Sequence, residues 1–193
     1  MSKIVAKAHG NNLRVTTHVQ TAADFHEAVA AGVDEIAHLP PGPFRLPEDK
    51  SVTPISMEDA RLAARRGVTV DTTAATAANM PEPERSQHRQ RQAASLKLLH
   101  STGVNIAIGS DNVTDSSLQE ISYLRDLSVF DNLTLLKLWT EATVKTIFPD
   151  RKLGALREGY EASFLALEGN PIDDWQSVRR IKIRFKQGFV VER

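Results

Sequence analysis

The run Leu13-Arg14-Val15-Thr16-Thr17-His18 is followed by Thr21 to Gly32, and then by Val33-Asp34-Glu35-Ile36-Ala37-His38. The first run is rich in β-branched residues and the last shares that character in part, so both read as strands. Between them Ala22 to Ala31 reads as a helix. Thr21 and Asp24 give it a start resembling a capping box, and Gly32 closes it with a residue that tolerates left-handed geometry. A helix of this length returns the chain along the strand direction. The spacing therefore predicts parallel neighbouring strands with His18 and His38 at their C-terminal ends. Two imidazoles so placed are within reach of one ion, and neutral imidazole is the commonest metal ligand. Catalytic zinc usually takes three protein ligands plus water, so a third ligand must come from elsewhere.

The unit repeats along the chain. Gly32-Val33, Gly67-Val68 and Gly103-Val104 each stand between a predicted helix and a predicted strand, at spacings of 35 and 36 residues. Ser56 is the expected cap of a helix running to Arg66, with Met57, Leu62 and Ala63 among its buried candidates, and the strand Val68 to Asp71 follows. A helix from about Glu84 to His100 then leads into the strand Val104 to Ile108, which ends in Gly109-Ser110-Asp111. A repeated βα unit argues for a parallel sheet or a (β/α) barrel. A doubly wound nucleotide-binding sheet is the rival, but no Gly-x-Gly-x-x-Gly or phosphate-loop signature follows any of these strands. In a barrel the active site lies at the C-terminal strand ends, and His18, His38, Thr72, Thr73 and Asp111 all fall there.

Around this core, Ile4 to His9 reads as the end of a helix, and the proline-rich segment Pro40 to Pro54 as a long loop. Ser117-Leu118-Gln119-Glu120 reads as a capping box opening a helix to about Leu127, and Leu133 to Phe148 as a further helix. After these the chain changes character. Ser163 to Leu167, Ile181 to Phe185 and Gly188 to Val191 are short β segments with turn signals between them, suited to a small β domain.

The 193 residues can bury a substantial core, and 41% hydrophobic and 25% charged content describe an ordinary globular protein. Lys plus Arg equals Asp plus Glu, 24 against 24, so no global field favours nucleic acid or an anionic membrane. With no cysteine, the metal-binding vocabulary is His, Asp and Glu. Met1 to Gly10 lacks the apolar core of a signal peptide and no run approaches a membrane span, so the expectation is a soluble, cytoplasmic chain. His9, His26, His88 and His100 fall in helices or at their ends and read as solvated. Arg85, Arg89 and Arg91 read as a charged helical patch balanced by Glu82 and Glu84. Tyr123, Trp139 and Trp175 read as packing residues.

With His18, His38 and Asp111 at successive strand ends and a β tail behind them, the sequence resembles the metal-dependent amidohydrolase superfamily, most of all its imidazolonepropionase-like and prolidase-like branch. The stretches that carry the resemblance are Thr17-His18-Val19-Gln20-Thr21, Ala28 to His38, Ile108-Gly109-Ser110-Asp111, Lys152-Leu153-Gly154-Ala155-Leu156 and Glu168-Gly169-Asn170-Pro171-Ile172. It implies the C-terminal half of an amidohydrolase-type (β/α)8 TIM barrel over residues 1–150, followed by strands of a small β-sandwich domain over 151–193. It also implies that His18, His38 and Asp111 match the ligands after barrel strands five, six and eight. They would hold one or two divalent metals, zinc being the expected one, with Asp111 also acting as general base and proton shuttle. The reaction implied is attack of metal-activated water on a C–N bond of a small-molecule or dipeptide-like substrate.

The same resemblance implies a His-x-His motif on the first barrel strand and a bridging carboxylated lysine or glutamate on the fourth. No His-x-His occurs in this sequence, and Lys3 and Lys7 lie in the helix before the His18 strand. The expectation is therefore a chain that lacks part of the metal site. Its exposed strand edges suggest a homo-oligomer or a complementing N-terminal half. A catalytically incompetent remnant or assembly module is the alternative reading, and a nucleic-acid-binding module a distant third.

Overall fold

The structure, a computed structural model, describes residues 1–42, 53–112, 114 and 116–192. Most of the expected Pro40 to Pro54 loop lies outside the described residues. The chain divides into two compact units, Met1–Val129 and Phe130–Arg193.

The first unit is built on four parallel strands, β1 (Thr16–His18), β2 (Glu35–Ala37), β3 (Thr69–Asp71) and β4 (Asn105–Ala107), neighbouring in sequence order. Helices α1 (Ser2–His9), α2 (Ala22–Ala31), α3 (Met57–Arg66) and α4 (Glu84–Thr102) alternate with them, and α5 (Leu118–Asp126) follows β4. The capping box of α2 is present, with Thr21 and Asp24 bonding each other's backbone amides. Ser56 caps α3 through the amide of Asp59. Gly32, Gly67 and Gly103 all stand at φ between 67° and 85°, which lets each helix turn at once into the next strand. That shared geometry is the physical content of the repeat seen in the sequence.

Register separates the two faces of the sheet. Thr17, Ile36, Val70 and Ile106 lie in one row, and the last three are almost fully buried, as are Phe25, Ala28, Val29, Ala63, Leu96 and Leu99 of the helices. The opposite face carries Thr16, His18, Glu35, Thr69, Asp71 and Asn105. This second face is polar, and Asn105 Nδ2 donates to Thr69 Oγ1 at 2.9 Å across adjacent strands.

The second unit contains a helical run in which α6 (Asn132–Lys137) and α7 (Thr143–Ile147) flank a π-helical turn, Leu138–Ala142. The Thr143 hydroxyl bonds the carbonyl of Leu138 there at 2.8 Å. Antiparallel strands β5 (Phe164–Leu167), β6 (Ile181–Lys186) and β7 (Phe189–Val191) follow. The Phe164 and Phe185 rings stack at 4.5 Å between paired strands. Trp139, Leu153, Phe164 and Val178 help line an apolar cavity of about 490 Å³. Trp175 is buried.

Three expectations fail here. Met57 is 47% exposed: it stands at the first residue of α3, a turn ahead of the buried Ala60 and Ala63. His88 is buried rather than solvated, and burial beside Arg91 holds its pKa down to about 4. The Ser117–Glu120 capping box does not form: Ser117 makes no side-chain cap, and Glu120 is wholly buried with other partners. Among the described residues no helix is long and apolar enough to cross a membrane.

The α2 cap offers a local test of this architecture. Thr21→Ala removes the side-chain acceptor for the Asp24 amide and should cost about 1 kcal/mol in a denaturant melt, with the far-ultraviolet spectrum unchanged.

Candidate active site

His18 ends β1 and His38 follows β2, and the parallel pairing of those strands brings the two rings together at 4.3 Å between centroids, edge to face at 73°. His18 is exposed, and its Nε2 lies 2.5 Å from the Gln20 side-chain amide nitrogen. His38 is buried. Its backbone amide donates to the Asp71 carbonyl, its Nδ1 is hydrogen-bonded to the Thr73 hydroxyl, and its Nε2 faces Asp111 Oδ2 at 4.0 Å. Burial, with the neighbouring His18, lowers the His38 pKa, and the Asp111 carboxylate opposes them. Asp111 itself is largely exposed just beyond β4.

The backbone at these strand ends is unusual. His38, Thr73 and Asp111 have φ of 76°, 39° and 49°, all in the left-handed region and none of them glycine. Each such residue costs on the order of 1 kcal/mol and persists only where its surroundings impose it. They stand after β2, β3 and β4, so the polar end of the sheet is also where its backbone is held in disfavoured conformations.

Two carboxylates lie beneath this rim. Glu120 on α5 accepts from Thr72 Oγ1 at 2.6 Å and from the amides of Ala74 and Ala75 at 2.8 and 2.7 Å. Burial raises its pKa, against the pull of those three donors. Asp71, on β3, is packed against Gly109 so closely that a Cβ at 109 would overlap both carboxylate oxygens. Its Oδ1 is buried without a hydrogen-bond partner among the described residues. Burial, reinforced by Glu35 and Glu120, pushes Asp71 up to about 7, and the nearby amides of Gly109 and Thr72 pull the other way.

The structure thus pairs His18 with His38 and sets Asp111 beside His38. Among the described residues, however, no three His, Asp or Glu side chains converge as a group that could hold a metal ion. The donor types suit a divalent cation, while the set is short of a closed shell. Sequence reading passed over Glu120, whose Ser-x-x-Glu spacing suggests a local cap, and Asp71, which reads as the last residue of a strand. The strict register of β3 was the available signal for Asp71, since it puts that carboxylate on the same face as His18.

Comparison with known proteins fits this arrangement. The amidohydrolase family profile matches residues 1–191, and the chain belongs to that family. Ochratoxinase of Aspergillus niger is 27% identical over 177 residues, covering 89% of this chain and 36% of that protein. Its crystal structure superposes with a TM-score of 0.77 at 22% identity, over 98% of this chain and 44% of the ochratoxinase chain. A Xaa-Pro dipeptidase with bound methionine in its active site gives a TM-score of 0.74 at 22% identity, over 100% of this chain and 48% of its own. The fold is the C-terminal half of the amidohydrolase-type barrel followed in sequence by strands of a small β domain, and the chain spans under half the length of these relatives.

Asp71 gives the unit a pH dependence whose sign is opposite to that of an ion-paired carboxylate. Between the ordinary value of 3.8 and about 7, the folded state keeps a proton that the unfolded chain releases. Stability is therefore full below that window and falls as pH rises through it. Asp71→Asn should flatten the fall and raise the melting temperature at pH 8 more than at pH 4, as followed by calorimetry.

Proposed function

We propose that this chain carries part of the active site of a metal-dependent hydrolase acting on amide-type C–N bonds, with His18, His38 and Asp111 as ligands of a divalent metal, zinc. The observation that carries the reading is the His18–His38 pair on adjacent parallel strands, with Asp111 Oδ2 facing His38 Nε2 at 4.0 Å, in a chain of the amidohydrolase family. When bound, such a cation lowers the pKa of coordinated water towards neutrality and polarises a carbonyl oxygen.

The protein's own groups have distinct tasks in this reading. His38, buried and held below its ordinary pKa, keeps a neutral imidazole available as a donor at neutral pH. Asp111 is exposed beside it, so its carboxylate can take a proton from an attacking water and return it to the leaving amine. The relatives named ochratoxinase and Xaa-Pro dipeptidase support a small amide or dipeptide as the substrate class. Further ligands come, in this reading, from a segment of the fold that this chain does not span.

The lack of a three-donor cluster among the described residues favours a second reading, in which the chain holds the fold but captures metal only beside a companion segment. Elemental analysis of chelator-washed protein after zinc readdition separates the two. The first reading expects about one zinc per chain, lost in His18→Ala and Asp111→Ala, and turnover of dipeptide or aryl-amide substrates. Zinc below a tenth of stoichiometric in the wild type, restored by co-expression with a His-x-His segment of a relative, establishes the second.

Among the described residues the outer strands β1 and β4 each have one neighbour in the sheet. Such edges favour pairing with another chain, and two copies should associate at micromolar concentration. A monomeric mass in sedimentation, together with a cooperative melt, counts against that association.

A further inference from the structure

The structure assigns Glu120 a positioning role: by gripping the turn after β3 it presents the Thr73 hydroxyl to His38 Nδ1 and so fixes the tautomer and aim of that imidazole. This rests on the reading of His38 as a ligand through Nε2. Glu120 lies on α5, 48 residues from Thr72, and is wholly buried. A buried carboxylate is costly unless its lone pairs are satisfied, and this one accepts three hydrogen bonds. All three donors, Thr72 Oγ1 and the amides of Ala74 and Ala75, belong to residues within two positions of Thr73.

Thr73 needs such a grip. Its φ of 39° is unfavourable for a β-branched residue, and it would relax if its flanks were free. A second support reaches the same turn, because Tyr123, also on α5, donates to Gln92 Oε1 at 2.6 Å while Gln92 Nε2 reaches the Ala74 carbonyl at 3.4 Å. Thr73 is thereby held with its hydroxyl against His38 Nδ1. When that oxygen accepts from Nδ1–H, the proton stays off Nε2, which is the nitrogen facing Asp111. A histidine that ligates a metal depends on such a partner for its other ring nitrogen. Here the partner is a hydroxyl, and a carboxylate on α5 sets its place.

Long-range ¹H–¹⁵N spectra of the histidine rings in the metal-free 193-residue chain test the inference, with His9 and His26 as internal controls. Wild type and Thr73→Ser should show His38 protonated at Nδ1. Thr73→Val, Glu120→Ala and Glu120→Gln should shift His38 towards the Nε2–H form, with His9 and His26 unchanged. An unchanged His38 tautomer in Thr73→Val, or in whichever Glu120 variant keeps the control resonances, overturns it. If neither Glu120 variant folds, Thr72→Val, which removes the hydroxyl donor to Glu120 and leaves Thr73 intact, decides the grip: an unchanged His38 tautomer there overturns it.

Zinc titration then reports on the site itself, and removal of the positioning contact should weaken zinc binding about tenfold to a hundredfold. Should the wild type bind no zinc, the ligand reading fails, while the tautomer spectra still decide whether Glu120 and Thr73 orient His38.

Discussion

Parallel strands cannot be joined by a tight turn. Each must be followed by a segment that crosses back outside the sheet before the next strand begins. In this chain the return is made by helices that end in left-handed glycines at 32, 67 and 103, and strands enter directly after them. All four strands of this sheet therefore point the same way, and whatever follows one of them arrives at the same rim. His18, His38, Thr73 and Asp111 are spread over almost a hundred positions of sequence, and this single constraint is what makes them neighbours.

The rim then divides its burdens unequally between two buried carboxylates. Glu120 has three donors, two of them backbone amides just after the left-handed Thr73, and works as an anchor. Asp71 has one buried oxygen without a partner among the described residues, and burial beside two other acids raises its pKa to about 7. Burial raises the pKa of both, and what distinguishes them is the number of N–H and O–H groups aimed at each, which pull against that rise.

The regular part of this architecture was legible before any coordinates. Thr21 with Asp24, Ser56 and the three Gly-Val pairs mark element ends through local chemistry, and local chemistry can be read from neighbours in sequence. The strand ends carrying His18, His38 and Asp111 were legible for the same reason. The contacts that orient them were not, because Glu120 reaches a turn more than forty positions away and competes with the local cap that its spacing suggests. His88 misled for a related reason: a long helix, α4, with alternating polar residues gives no clear periodicity to say which histidine faces inward. The π-helical turn at Leu138–Ala142 likewise leaves no distinctive composition behind.

The two faces of the four-stranded sheet have opposite characters, with Ile36, Val70 and Ile106 sealed on one and Glu35, Asp71 and Asn105 carried on the other. Among the described residues the apolar row of the sheet is buried together with apolar side chains of α2, α3 and α4. The layer is in that sense self-adhering: its apolar row is given over to holding the unit together, and its other face is released to carry hydroxyl, carboxylate and imidazole groups.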